Sequence, residues 1–376
     1  MHSGVSNLPD LRLDSVLLAL TGLEIDGGIA CVSRCIARAL DERCRAGALA
    51  RVDRVLLLED PRHAAAPPVA GRQWLACGSQ PRFAWQLWRA FRRGRHDLVL
   101  FDLVGLARAA LLPLPSLPPP RTAIFVHGIE LATARAGSRA RALRAARTIL
   151  ANSDFTARSV QAAFPELSER LRVVPLCIDP DREARWVAPD PRSPREAAAL
   201  VVGRMWAEER GKGHDDLLAA WPAVTARVPG AKLWIVGEGD DRPRLEARAR
   251  DLGVSGDVHF HGRVSDEELG RLYRRASVFA MPSRQEGFGL VYAEAMWHAL
   301  PCIGSTSDAA GHVIRDGETG VLVPYGDVPA IASALCGLLG QPERALRMGA
   351  AARRHAVDRF GYPRFRRDLL AALDLG

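Results

Sequence analysis

Lysine is almost missing from this chain. Only Lys212 and Lys232 occur, so arginine supplies 49 of the 51 basic residues. With the abundant alanine, this reads as GC-rich coding bias, and the net charge of +8 is not taken as the mark of a nucleic-acid partner. The balance remains compatible with an anionic membrane surface. Cysteine lacks a framework: the seven are scattered, and although Cys31 and Cys35 could share a helix face, no second pair or histidine cluster completes a zinc site. An odd count without pairing fits a reducing cytosol. The opening "MHSGVSNLPDLRLD" has no basic region leading into an apolar core, so no signal peptide is expected. The most apolar stretch, "LVLFDLVGLARAALLPLPSLPPP", is broken by Asp102, Arg108 and prolines and is too interrupted to span a bilayer. Two nucleotide fingerprints are missing as well. "TGLEIDGGIACVSR" is not G-x-G-x-x-G, and in "ERGKGH" Gly213 stands where a P-loop needs Ser or Thr.

What is present is alternation. At 376 residues, 48% hydrophobic and 25% charged, the chain has the length of two domains and the composition of a globular protein. "SVLLAL", "RVLLLE", "DLVLFD", "TAIFVH" and "TILANS" read as buried strands of a parallel sheet. "GIACVSRCIARALDERC", "PRFAWQLWRAFRR" and "RARALRAAR" between them carry helical spacing. The second half repeats the pattern with "AALVVGR", "AKLWIVGEG", "DVHFHGRV", "ASVFAMPS" and "LPCIGSTS", and Ser265 and Glu268 form a capping box before one helix. The proline- and charge-rich "DREARWVAPDPRSPRE" is the expected hinge. The expected organisation is a domain over 1–180, a linker over 181–196, a second domain over 197–355 and a C-terminal helix over 356–376 that could return to the first domain. Both domains should be doubly wound α/β, with ligands at the carboxyl ends of the strands and in the cleft between them.

The candidate chemistry gathers at those ends. Gly27 and Gly28 enter a helix after the first strand, where backbone can approach an anionic ligand; an ordinary tight turn explains them equally well. Arg204 ends "AALVVGR" and Lys212 follows between two glycines. A diphosphate leaving group needs fixed positive charge, which this pair can supply without metal. In "RQEGFGLVYAEAM" (284–296), a helix starting near Leu290 leaves the amides of Phe288, Gly289 and Leu290 free beside Gly287 and Gly289. Glu286 lies just before that helix and Glu294 on its second turn. Carboxylates repel phosphate, so their best use is accepting hydrogen bonds from sugar hydroxyls. The bland alternative is a surface helix with two solvated glutamates. A glycosidase would also use two acids, but that leaves the amides, Arg204 and Lys212 without a role. His127 ends "TAIFVH" before Gly128 and should face the cleft. The basic, aromatic "PRFAWQLWRAFRRGR" could lie on a membrane surface, although Trp85, Trp88 and Phe91 are expected to pack on the sheet. Arg135, Arg139, Arg141, Arg144 and Arg147 form a second basic segment.

Together these motifs resemble the retaining glycosyltransferases of family 4, which have the GT-B fold of two Rossmann-like domains facing across a cleft. The resemblance runs from "DGGIACVSR" to "DGETGVLVPYGD" at 316–327 and is most specific in "EGFGLVYAEAM", which matches the family's E-x7-E motif at Glu286 and Glu294. "VGRMWAEERGKGHDDLLAAW" resembles its arginine–lysine segment, "FVHGIE" and "LANSDFTARSV" its acceptor-domain signatures, and "VVPLCIDP" its stretch before the hinge. The resemblance implies that Arg204 and Lys212, with Gly203 beside them, hold the donor diphosphate and that Glu294 holds the ribose. Glu286 and the amides of Phe288 and Gly289 would hold the transferred sugar, in a donor loop that includes Gly287 and Leu290. His127 would contact the sugar's 6-hydroxyl region, Gly28 would approach the diphosphate, and Gly237 and Val264 would lie near the base. It implies catalysis by His127, Arg204, Lys212 and Glu286 with no metal and no cofactor beyond the nucleotide sugar. Gly211 and the absence of an asparagine–glycine pair in "VVPLCIDP" depart from the family pattern and leave the donor's identity open.

The expected function is hexosyl transfer, with retention, from a nucleotide-diphosphate sugar to a glycan or polyprenyl-linked acceptor in bacterial surface polysaccharide assembly. The expected location is cytoplasmic, with peripheral contact on the inner membrane face left open. The alternatives are a sucrose- or trehalose-type synthase or phosphorylase on the same fold, and a catalytically dead glycan-binding scaffold.

Overall fold

The computed structural model describes residues 13–25, 27–111, 120–128, 130–131, 136–190 and 193–376. The opening residues to 12 and Arg135 lie outside the described residues.

The chain forms two compact units, one of residues 1–125, 133–150 and 366–376, the other of 126–132 and 151–365. In the seven-stranded sheet the strands are β1 (Ser15–Leu20), β2 (Arg51–Leu56), β3 (Gln73–Leu75), β4 (Leu98–Phe101), β5 (Arg121–Val126), β6 (Thr148–Ala151) and β7 (Leu171–Val173), in the order β3-β2-β1-β4-β5-β6-β7. The pairings from β3 to β5 are parallel, with Val16 opposite Val52 on one side and Leu98 on the other. Val16 to Leu20 are fully buried, as a central parallel strand covered on both faces requires. Each of the Val and Leu side chains among them contributes about 1.5–3 kcal/mol when removed from water.

The second sheet holds β8 (Ala198–Val202), β9 (Lys232–Val236), β10 (Val258–Gly262), β11 (Val278–Ala280), β12 (Cys302–Ser305) and β13 (Gly320–Val323), in the order β10-β9-β8-β11-β12-β13 with all pairings parallel. In both sheets the strand order reverses beside the first strand laid down. That switch point opens a crevice at the carboxyl ends, here between β8 and β11.

Three strands had no counterpart in the apolar runs: β3, β7 and β13. All three are sheet edges; β3 (QWL) and β7 (LRV) are broken by polar residues, whereas β13 (GVLV) is a short apolar run that was passed over. The expected capping box is half formed. Ser265 accepts the Glu268 amide at 3.2 Å, while the Glu268 carboxylate turns to Arg271 at 2.8 Å. One packing expectation is corrected. On the helix Gln80–Gly94, Phe83, Leu87 and Phe91 are buried, but Trp85 is 55% exposed, with the Arg89 guanidinium 5.2 Å from its ring. Arg82, Trp85 and Arg92 are exposed and, with the half-buried Arg89 between them, recur at helical spacing along one outward face.

Candidate active site

Three strand ends in the second sheet are laced by backbone. Gly203 N–H donates to the Val236 carbonyl and Gly237 N–H to the Gly262 carbonyl, both at 2.9 Å. Gly237 has φ 134°, and a Cβ there would stand 2.0 Å from the Gly203 oxygen. Only glycine fits that position. Val264 follows two residues beyond Gly262, half-buried.

Beyond β8 the loop carries Arg204 and Lys212 to different fates. Arg204 is exposed and pairs with Glu209 at 3.0 Å. Lys212 ends a short 3-10 turn, and its Nζ lies 2.6 Å from Oε2 of Glu286, with both side chains largely covered. Gly213, at φ 83°, then turns the chain into the helix His214–Arg227. The Arg284 amide donates to the Gly211 carbonyl at 2.7 Å, which ties this loop to the segment after β11.

That segment is held from three sides. Asp308 accepts the Ser283 hydroxyl (2.5 Å), the Glu286 amide (3.1 Å) and the Ala310 amide (2.9 Å). Burial pushes its carboxyl up to about 6. The Glu286 carbonyl accepts the Ala309 amide, and the Gly287 carbonyl faces the hydroxyls of Ser153 (3.3 Å) and Thr156 (3.4 Å). Gly287 also lies so close to the chain at His127 that a Cβ would come within 1.9 Å of the His127 carbonyl oxygen. His127 is buried, with its amide bonded to Glu130 and its carbonyl accepting Asn152 Nδ2 at 3.3 Å. The residue therefore meets the loop through its backbone.

The helix Leu290–Trp297 begins at the residue its pattern suggested. Gly289 caps it at φ 87° with no side-chain cap. Among the described residues, the amides of Phe288, Gly289 and Leu290 have no hydrogen-bond acceptor. Such an end carries free N–H groups and the positive end of the helix dipole.

Glu294 is 7% exposed. Its Oε1 lies 2.5 Å from Arg182 Nη1, and its Oε2 accepts the Tyr273 hydroxyl at 3.3 Å. Burial pushes the Glu294 carboxyl upward, while Arg182 and Tyr273 draw it back.

Lys212, Glu286 and the 287–290 loop are thus brought together with the His127 backbone. Arg204 is paired elsewhere, and Gly28 heads the helix Gly28–Arg45 in the other compact unit. In that unit the loop before Gly28 hangs from buried acids. Glu59 accepts the amides of Leu23 and Glu24, and Asp102 accepts Thr21. Sequence reasoning missed Arg182, Tyr273 and Asp308, which are far in sequence from the groups they hold. A separate groove of 460 Å³ on the edge strand β10, lined by Arg242, Arg250, His259 and His261 among others, contains none of the site residues.

Two family models match, Glycosyltransferase Family 4 over residues 27–182 and Glycosyl transferases group 1 over 196–341. A GDP-mannose-dependent alpha-(1-6)-phosphatidylinositol monomannoside mannosyltransferase of Mycolicibacterium smegmatis is 33% identical over 288 residues, 70% of this chain and 73% of that protein. The chain belongs to glycosyltransferase family 4. The Mycobacterium tuberculosis protein described by the same activity is 39% identical over 149 residues, but the match spans only 38% of this glycosyltransferase and 39% of its relative. Among solved structures, Anabaena HepE in complex with UDP and glucose superposes with a TM-score of 0.76 at 17% identity, covering 96% of this chain and 99% of that one. The two parallel sheets of this glycosyltransferase are those of the GT-B fold.

Proposed function

We propose that this glycosyltransferase moves a mannosyl group from GDP-mannose to a phosphatidylinositol-type glycolipid, with retention of configuration, in bacterial surface glycan assembly. The observation that carries this reading is the meeting of Lys212, Glu286 and the uncapped amides of Phe288 to Leu290 at the sheet's switch point. Mannose, GDP and the inositol lipid follow the named activities of the relatives that are 33% and 39% identical.

In this reading Lys212 and Arg204 neutralise the diphosphate as its bond to the sugar breaks. An ammonium has three donors, so Lys212 can keep Glu286 and take a phosphate oxygen at once. Glu286 and the amides of Phe288 and Gly289 hold the transferred sugar, His127 its 6-hydroxyl region and Glu294 the ribose diol. Gly203 lies beside the diphosphate, and Gly237 and Val264 border the base. The departing phosphate takes the acceptor hydroxyl's proton while the acceptor oxygen bonds to the anomeric carbon on the face being vacated. Fixed cations and a helix N-terminus supply the positive charge, so no metal is required. The outward face of Arg82, Trp85, Arg89 and Arg92 supports attachment to the lipid surface that carries the acceptor.

The test is turnover of GDP-mannose with phosphatidylinositol monomannoside in vesicles, with the product's anomeric configuration read by NMR. Transfer from GDP-mannose with an α-linked product is expected, and EDTA should leave the rate intact. Lys212→Ala should lower it about 10²-fold, roughly 3 kcal/mol of transition-state stabilisation. Turnover only with a UDP-sugar, or only onto a soluble hexose, would overturn the proposal, and strict dependence on Mg2+ would overturn its metal-free step.

A further inference from the structure

The short helix Pro180–Glu183 lies in the stretch whose composition suggested a hinge, yet it is fastened to the site helix. Asp179 caps it through the Asp181 amide at 3.0 Å. Its two following charged side chains then grip the helix Leu290–Trp297 at positions one turn apart. Arg182 Nη1 meets Glu294 Oε1 at 2.5 Å, and Glu183 accepts the Trp297 indole N–H at 2.8 Å. Arg182 also reaches Asp266 at 3.2 Å and lies 5.6 Å from the Trp186 ring.

The groups facing Glu294 divide by sign. Arg182 comes from the short helix, and Tyr273 and Asp266 come from the helix Asp266–Arg275. A carboxylate this covered would take up a proton if its cation were removed, more so with a second carboxylate nearby. A carboxylate offers about four acceptor sites on two oxygens. Arg182 occupies one on Oε1 and Tyr273 one on Oε2, which leaves one on each oxygen in a fixed orientation. A vicinal diol presents two donors at matching separation, whereas a protonated carboxyl cannot accept both.

We propose that Arg182 is a positioning residue for nucleotide binding: it keeps Glu294 a carboxylate and orients its remaining lone pairs toward the ribose diol. This rests on the assignment of Glu294 to the nucleotide. Calorimetric titration of the full chain with GDP, from about pH 6 to about pH 9, tests it in four proteins. Affinity and proton release are read relative to the parent at each pH, because the terminal phosphate of GDP itself ionises near pH 6. Arg182→Leu should bind about tenfold or more weakly at the acid end, recover toward the parent at the alkaline end, and release a proton on binding, as expected when a carboxyl must ionise to bind. Arg182→Lys, which keeps the charge, should stay near the parent and guards against misfolding of the leucine variant. Glu294→Gln should be weak and flat across the range. An infrared band of a protonated carboxyl in Arg182→Leu, missing when Glu294→Gln is added, reads the same ionisation without ligand. A loss in Arg182→Leu that is flat with pH and without proton release, or no loss at all, overturns the role of Arg182 while Glu294 keeps its own. Parent-like binding by Glu294→Gln overturns the ribose assignment instead.

Discussion

At the scale of single residues, the site depends on places where a side chain cannot be. Gly287 is the sharpest case, because its missing Cβ would stand 1.9 Å from the His127 carbonyl oxygen. Gly287→Ala should therefore displace the loop that carries Glu286 and the free amides. The expected result is a stability loss of about 1–3 kcal/mol, typical of overpacking, with a larger loss of turnover. Gly211 is the matched control: a Cβ there meets only the Arg284 Cβ, at 3.5 Å. Gly211→Ala should melt and turn over like the parent, and equal damage from both would detach the loop's function from its packing. An acid followed by two glycines that flank a phenylalanine stands out in a sequence, which is why Glu286 and its loop were singled out. The partners were not. Asp308 holds the Glu286 amide from 22 residues away and Arg182 holds Glu294 across 112. Among 49 arginines nothing marks Arg182, and an aspartate in "STSDAAG" reads as a turn.

At the scale of elements, the helix bearing Glu294 is fixed at its far end by cations. Arg195 donates to the carbonyls of Ala276 and His298, both at 2.7 Å, and so staples the C-termini of the helices Asp266–Arg275 and Leu290–Trp297. Arg353 adds a bond to the Trp297 carbonyl. Behind Glu294, His298 is fully buried and stacked 5.1 Å from Tyr273, and among the described residues neither ring nitrogen has a hydrogen-bond partner. Burial holds its imidazole down to about 3, and that of His214 down to about 4. The sign follows from linkage. The unfolded chain protonates these histidines near pH 6.5 and the folded one does not, so their stabilisation is complete above that pH and is lost as pH falls toward 4. Over the whole fall each accounts for a loss on the order of 3–5 kcal/mol. Asp308, raised to about 6, acts oppositely, since the folded chain binds its proton first and gains stability over the same fall. His298→Phe keeps the stacking and removes two unsatisfied nitrogens. Urea midpoints at about pH 7 and pH 5 should show the variant equal or more stable at the first and clearly more stable at the second. An unchanged pH slope would mean that His298 is already protonated or solvated in the fold. Strand and helix order was legible because buried parallel strands are unbroken apolar runs. The short edges β3 and β7 lack that signature, β13 has it in only four residues, and the staple by Arg195 joins carbonyls that no pattern of side chains announces.

At the scale of the whole molecule, the arginine excess has to be separated into coding bias and function. Among the described residues no helix is long and apolar enough to cross a membrane. Any attachment through them would be at the surface, where a basic residue near anionic lipid is worth about 1 kcal/mol and is screened within about 8–10 Å at physiological salt. Two segments compete. The helix Gly137–Ala145 presents Arg141 and Arg144 outward, while Arg139 is half-buried. The helix Gln80–Gly94 adds what the first lacks, an exposed tryptophan at the interface of charge and apolar surface. The spacing carried this answer: Trp85 falls in line with Arg82, Arg89 and Arg92, on a different face from Phe83, Leu87 and Phe91, and grouping all the aromatics as core overlooked it. Co-sedimentation with anionic vesicles at low salt should therefore depend on the second segment. The triple variant Trp85→Ala, Arg89→Gln, Arg92→Gln should lose about tenfold or more in binding. The pair Arg141→Gln, Arg144→Gln should lose less, since it removes charge without the apolar anchor. For the parent, raising the salt should weaken binding without abolishing it, because the indole's contribution is not screened. Equal recovery of the parent on neutral and anionic vesicles would return both arginine faces to coding bias. Loss confined to the Arg141 and Arg144 pair would move the attachment to the other helix.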